Sequence, residues 1–325
     1  MDIFDIVIIG GGPIGLACGI EAEKAALRYV ILEKGCLVNS LFNYPQHMTF
    51  FSTSEKLEIG GVPFVSTNPK PKRLEALEYY RRVQQKFSLH VRLFEEVINV
   101  IKDENLFAVR TVKNTFRAKN VIVATGFYDR PNLMHIPGEN LAKVKHYYND
   151  PHYYANQNVV VVGSSNSSVD AALETYRKGA KVTLVIRRNE ISHRVKYWVR
   201  PDIDNRIAEG SITAHFNSCL TAIEEEVVHI ATPNGAIRIK NDFVLALTGY
   251  QPDFDFLQKV GIKLSPDDLL IPEHDELTME TNVPHLYLAG VVCGGMNTHL
   301  WFIENSRIHA EQIVRHISRQ RVPAK

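Results

Sequence analysis

Four cysteines are spread over the 325 residues, at Cys18, Cys36, Cys219 and Cys293. None forms a C-x-x-C pair and none joins histidines at zinc-ligand spacing. That speaks against a disulfide framework, a structural zinc site and the dithiol of a thioredoxin-type redox motif. Charge of one sign is equally scarce. The net charge is +1, which leaves no electrostatic footprint for nucleic acid or an anionic membrane. No apolar run has the length to cross a bilayer. The first apolar segment is broken by glycines and lacks a basic leader. A cytoplasmic protein with no nucleic-acid or membrane partner is the expectation. The thirteen histidines are scattered and read as surface, core or secondary contacts, so no metal is expected. What remains is ordinary soluble composition, 45% hydrophobic and 22% charged, at a length that suits two domains.

The most informative stretch runs from Ile3 to Lys34. An apolar β-type run, Ile6 to Ile9, enters Gly10, Gly12 and Gly15 in G-x-G-x-x-G spacing. Gly10 permits a tight turn, Gly12 lets backbone approach a pyrophosphate, and Gly15 allows helix and strand to pack closely. The helix that follows starts where the phosphate would lie, with free N–H groups and a positive dipole end. A second apolar run, Tyr29 to Leu32, ends on Glu33, 18 residues after Gly15, where a carboxylate can accept hydrogen bonds from a ribose.

Residues 35–45 read as loop. His47 to Phe64 is rich in Phe, Thr, Ser and Gly; Phe50 and Phe51 suit either stacking on a planar cofactor or core filling. Pro69 to Phe87 has helical spacing, and Glu96–Ile101 with Leu106–Val112 alternate as antiparallel strands. A buried-type strand then ends in Ala124-Thr125-Gly126, and Pro131 with Pro137-Gly138 marks a connection.

A second strand–turn–helix unit begins at Asn158. Gly163, Ser165 and Ser168 stand 153 residues after Gly10, Gly12 and Gly15, so the chain repeats a dinucleotide-binding unit while keeping only its first glycine. Serine is small enough to keep the turn, and its hydroxyl can bond phosphate. At the same offset Ile186 replaces Glu33, and Arg187 and Arg188 follow it. No carboxylate is there for a ribose 2′-hydroxyl, and two guanidinium groups suit a 2′-phosphate, which favours NADPH over NADH. Arg194 is a further cation nearby. Asp202 to Ser218 reads as helix and short strand. Phe243 to Gln251 reads as the return crossing, Pro284 to Gly295 as a strand ending beside a cofactor, and Thr298 to Ser318 as one final helix. Arg319 to Lys325 reads as a frayed polar tail.

The expected fold is therefore α/β, with two Rossmann-like dinucleotide-binding domains. An FAD domain, 1–128 and 249–325, is interrupted by an inserted NADPH domain, 129–248. Hydride would pass from nicotinamide C4 to flavin N5.

The segments GGGPxGLA, TFFSTSEKLEIGGVPF, ALEYYRRV, VKYWVRPDI and AGVVxxG…FIENxRIHA resemble the bacillithiol disulfide reductases, flavoproteins of the wider low-molecular-weight thioredoxin-reductase-like group. The resemblance covers about residues 3–318. Its TFFSTSE stretch is specific to the family, whereas the glycine motifs are shared by many. It implies FAD and NADPH, a homodimer, and reduction of a low-molecular-weight disulfide in redox homeostasis. By motif position, Gly10, Gly12, Pro13, Gly15, Glu33, Lys34, Gly126 and Gly290 would contact FAD. Gly163, Ser165, Asn166, Ser167, Ser168, Arg187 and Arg188 would contact NADPH.

One position departs from the family. Members often carry Cys in the variable place of GGGPxGLA, and this chain has Ile14. Cys18 lies one helical turn further on, roughly 6 Å along the axis, and reads as structural. Cys36 reads as a bystander, and Cys293, just after Gly290, as a weak candidate for a thiol facing the flavin. No catalytic side chain is assigned, since the flavin carries the chemistry. The competing readings are a ferredoxin- or flavodoxin-NADP reductase, with a small redox protein as partner, and a non-catalytic NADPH-sensing flavoprotein. The first is weakened because no aromatic residue follows Phe302 to cover a flavin.

Overall fold

The computed structural model describes residues 3–321. They divide into two compact units: 3–43, 48–130 and 250–321 form one, and 44–47 with 131–249 form the other. The short piece Tyr44–His47 joins the second unit, where the Gln46 N–H donates to the Asn149 carbonyl at 3.0 Å. No local sequence signal marked it.

The chain opens with β1 (Ile3–Ile9), α1 (Pro13–Lys24), β2 (Tyr29–Leu32) and the single turn α2 (Asn39–Phe42). After a long loop come α3 (Arg73–Lys86), β3 (Val91–Arg92), β4 (Val97–Asp103), β5 (Leu106–Thr111) and β6 (Thr115–Val123). Two-residue strands β7 (Arg130–Pro131) and β8 (Val144–Lys145) precede β9 (Asn158–Val162), α4 (Asn166–Tyr176), β10 (Lys181–Val185), α5 (Arg200–Ala208) and β11 (Thr213–His215). The hairpin strands β12 (Cys219–Ile223), β13 (Val227–Thr232) and β14 (Gly235–Lys240) lead to β15 (Phe243–Ala246) and β16 (Tyr250–Gln251). The chain closes with α6 (Phe254–Lys259), β17 (Leu286–Leu288), α7 (Ile303–Ser306) and α8 (Ile308–Arg321).

In the first unit the sheet order is β3-β2-β1-β6-β5-β4, with β17 beside β6. β1, β2, β3, β6 and β17 run parallel, and β4 and β5 add antiparallel. Ile6, Val7, Ile8, Val121, Ile122 and Val123 are all shut off from solvent. Each such side chain contributes about 1.5–3 kcal/mol by leaving water. These continuous apolar runs are what a parallel strand covered on both faces requires.

The loop from His47 to Phe64 owes its shape to α3. Tyr79 accepts from the Ile59 N–H at 2.9 Å and donates to the Val62 carbonyl at 2.9 Å, while the Tyr80 hydroxyl donates to the Leu57 carbonyl at 2.9 Å. Phe64 stacks on Tyr79 with centroids 4.4 Å apart. Phe50 is buried, as core filling requires, and Phe51 is exposed with the Lys70 ammonium over its ring.

The second unit holds an all-parallel sheet, β11-β10-β9-β15-β8, and the antiparallel sheet β12-β13-β14. Its core includes Val159, Val161, Val169, Leu184, Ile186 and Leu245.

The final helix differs from its expected course. It begins at Ile303 rather than Thr298 and is divided at Arg307. The Asn305 side chain causes this start: its Oδ1 accepts from the Phe302 N–H at 2.6 Å and its Nδ2 donates to the Leu300 carbonyl at 2.9 Å. That local bonding competes with helix before Ile303. α8 then continues through Arg319 to Arg321, where a frayed tail was expected; the rest of that expectation, residues 322–325, lies outside the described residues. Among the described residues no helix is long and apolar enough to cross a membrane.

Candidate functional site

The register of the first sheet aligns strand ends. Ile9 pairs with both Leu32 and Val123, and Val123 pairs with Leu288, so the carboxyl ends of β1, β2, β6 and β17 lie level. Gly10, Glu33, Ala124 and Ala289 follow directly, at the place where open α/β sheets receive ligands.

Gly10 has φ +108°, and a Cβ there would sit 2.4 Å from the Ala124 carbonyl oxygen. A Cβ on Gly15 would fall 1.9 Å from the Gly10 oxygen. Both glycines are required by the protein's own packing. Gly12 and Gly126 are different: a Cβ on either would meet nothing within 4 Å. Open space along these backbones fits a ligand that must approach the main chain. Pro13 occupies the first turn of α1, where a missing N–H costs nothing. The turn thus fits a dinucleotide pyrophosphate.

Glu33 is buried, and its carboxylate is fixed by two backbone donors, the Gly11 N–H at 2.7 Å and the Gly35 N–H at 2.9 Å. Burial pushes its carboxyl above the ordinary range, and these two bonds pull against that shift. Lys34 pairs with Asp129 at 2.9 Å. Gly290 lies on the other side of the turn, where a Cβ would be 3.3 Å from the Ile14 Cγ1. The structure therefore gathers Gly10, Gly12, Pro13, Gly15, Glu33 and Gly290 around one turn.

Behind Gly290 stands His309, which sequence reasoning did not single out. Its Nδ1 accepts the Gly290 N–H at 3.1 Å, which places the ring proton on Nε2. It is buried against Trp301, edge to face at 4.6 Å. Burial, then the nearby His274, pushes its pKa down to about 4. A signal was present: His309 shares the helical stripe of Ile313 and Ile317, where a histidine must be buried.

Two of the four thiols, Cys18 and Cys293, are shut away where the fold places them. Cys18 is fully buried and desolvation pushes its pKa up to about 12. Cys293 is buried with its Sγ 3.8 Å from His309 Nδ1, and burial raises it as well. Cys36 is half-buried and Cys219 exposed. Among the described residues no cluster has the makings of a metal site.

In the second unit Val162 pairs with Val185 and Ala246, again levelling the strand ends. Gly163, φ +130°, lies where a Cβ would be 2.6 Å from the Leu247 carbonyl oxygen. Ser165 and Ser167 are exposed at the start of α4. Ser168 is not: it is buried, its hydroxyl donates to the Ser165 carbonyl at 2.8 Å, and it packs beneath Gly163. It takes the packing role of the third glycine, with its hydroxyl already engaged in the turn. Asn166 bridges to the following loop, donating to the Arg194 carbonyl at 3.1 Å and accepting the Lys196 N–H at 2.9 Å. Arg187 and Arg188 are exposed beyond β10.

Fold and site together define a protein with two Rossmann-like units, each ending its first strand in a glycine turn. The profile of the pyridine nucleotide-disulphide oxidoreductases matches residues 7–290. The chain is 45% identical over 316 residues to the bacilliredoxin reductase Bdr of Bacillus subtilis (strain 168), covering 97% of each. It is similar to the solved bacillithiol disulfide reductase Bdr (YpdA) from Bacillus cereus, with TM-score 0.96 and 44% identity over 98% of this chain and 100% of that one. The corresponding Staphylococcus aureus structure gives TM-score 0.96 and 38% identity over 99% and 100%. The chain belongs to the pyridine nucleotide-disulphide oxidoreductases and, among them, to the bacillithiol disulfide reductase family.

Proposed function

We propose that this protein is a cytoplasmic, homodimeric FAD enzyme that oxidises NADPH and reduces a low-molecular-weight disulfide such as bacillithiol disulfide. The overall reaction carries a hydride from NADPH and one proton to the disulfide, giving NADP⁺ and two thiols. The observation that carries this reading is the contrast between the two strand ends. Glu33, held by Gly11 and Gly35, closes the first turn, while exposed Arg187 and Arg188 close the second, where the equivalent residue is Ile186.

In this reading Gly10, Gly12, Pro13, Gly15, Glu33, Lys34, Gly126 and Gly290 hold FAD. Gly12 and Gly126 leave the main chain open to it, and Glu33 accepts from a ribose hydroxyl. Gly163, Ser165, Asn166 and Ser167 form the phosphate turn for NADPH, Ser168 supports that turn from below, and Arg187 and Arg188 face the 2′-phosphate. When bound, FAD supplies the two-electron carrier between NADPH and the acceptor. Cys18 and Cys293 are closed to solvent and kept as thiols by burial, and position 14 is Ile, so none of the three is assigned a nucleophilic role.

Anaerobic mixing of the FAD-loaded protein with NADPH tests the first half of this proposal. Rapid flavin bleaching by NADPH, and much slower bleaching by NADH, is expected. Bleaching by neither coenzyme would remove the enzymatic reading and leave a non-catalytic flavoprotein.

A further inference from the structure

The loop after β10 is tied to the start of α4 more firmly than a surface loop needs. The Ser192 N–H donates to the Ser164 carbonyl at 2.9 Å. Arg200 Nη1 donates to the carbonyls of Ile191 at 3.0 Å and Ser192 at 3.2 Å. Ile191 and Val195 are buried. Lys196 then grips one face of α4 twice. Its backbone N–H donates to Asn166 Oδ1 at 2.9 Å, and its Nζ pairs with Asp170 Oδ2 at 2.7 Å. Asn166 and Asp170 are four residues apart and so lie one above the other on the helix. The remaining carboxylate of that face, Glu174, takes a hydrogen bond from the Tyr148 hydroxyl at 2.6 Å.

Lys196 is 7% exposed, a rare degree of burial for lysine. Desolvating the pair is costly, and apolar residues of similar volume often serve stability as well or better. The pair closes one end of a short segment of the loop. Between its two fixed ends, Ser192 and Lys196, stands Arg194, whose carbonyl is bonded by Asn166 and whose side chain is exposed.

We propose that Asp170 and Lys196 are positioning residues for coenzyme selectivity: the ion pair of buried Lys196 with partly buried Asp170 holds the 192–196 loop on α4 and so sets the Arg194 guanidinium beside the phosphate turn. This rests on the reading that the turn at Gly163 takes NADPH. Arg194 then acts with Arg187 and Arg188 on the 2′-phosphate, and Lys196 acts only through Arg194.

The test is binding of NADP⁺ and NAD⁺ to FAD-loaded protein by calorimetry, which needs no acceptor. Lys196→Met is expected to weaken NADP⁺ roughly tenfold, the scale of one lost charge-assisted phosphate contact. NAD⁺ affinity should stay within about twofold, because the turn itself is intact. Arg194→Ala should give the same loss, and the double variant Arg194→Ala/Lys196→Met no more than either alone. Equal weakening of both coenzymes, or additive losses in the double variant, would overturn the proposal. If Lys196→Met does not fold, Asp170→Asn, which keeps an acceptor but removes the charge, gives the same readout. Failure of the underlying reading looks different: the wild type itself would then show no preference for NADP⁺.

Discussion

Acid should strip stability from this protein through His309. The ring is 1% exposed, and its Nδ1 is occupied by the Gly290 N–H at 3.1 Å, so it stays neutral in the fold with a pKa pushed down from 6.5 to about 4. The unfolded chain takes up a proton near the ordinary histidine value of about 6.5. Between those values the unfolded state binds more protons, so unfolding free energy falls as pH falls. The contribution is complete above the unfolded value and is lost progressively down to the folded one. Lowering the pH from 7 to 5 should cost about 2 kcal/mol through this group alone, since each pKa unit is worth about 1.4 kcal/mol. Other groups titrate in the same window, so the assay is a difference. Urea unfolding of wild type and His309→Gln is measured at pH 7 and pH 5 at matched ionic strength. Glutamine can accept the Gly290 N–H but does not titrate. The stability advantage of the wild type should shrink by about 2 kcal/mol between the two pH values. An advantage that stays constant would refute the assignment of a buried neutral imidazole.

Three further outcomes follow from the same geometry. Gly12→Ala should leave melting of the flavin-free protein unchanged yet prevent flavin retention, because a Cβ there meets only open space; Gly15→Ala, 1.9 Å from the Gly10 oxygen, should destabilise the protein with or without flavin. Differential scanning calorimetry with and without FAD separates the two. Iodoacetamide at mildly alkaline pH should label Cys219 readily, Cys36 slowly, and Cys18 and Cys293 only on unfolding, as read by peptide mass spectrometry. Removing both guanidinium groups with Arg187→Ala/Arg188→Ala should raise KM for NADPH at least about tenfold while KM for NADH moves little. Equal changes for both coenzymes would contradict a 2′-phosphate site.

Much of the architecture was legible because its signals are local. Glycine spacing, the apolar strands and the offset of 153 residues mark both βαβ turns, and alternation marks β4 and β5. Other features depend on partners distant in sequence. Tyr44–His47 joins the second unit through a bond from Gln46 to Asn149. Ser168 keeps the motif spacing, but the tight approach to Gly163 turns its hydroxyl toward Ser165. The last helix starts late because Asn305 bonds backward, a choice that apolar periodicity does not record. His309 and Lys196 acquire their character from burial, which is set only when Gly290 meets α8 and the 192–196 loop meets α4. The glycines and arginines proposed to hold the coenzymes announce themselves by spacing and type; the groups that hold them in place do not.

The central claim is that electrons from NADPH reach a small disulfide without a thiol at position 14. Its most direct test is anaerobic NADPH consumption by the FAD-loaded wild-type protein, with bacillithiol disulfide as sole acceptor and the released thiol quantified. The account predicts sustained turnover that depends on the disulfide, with two thiols formed per NADPH consumed. Flavin that is reduced once and then holds its electrons in the presence of the disulfide would contradict it, and would direct the search to a redox protein as acceptor.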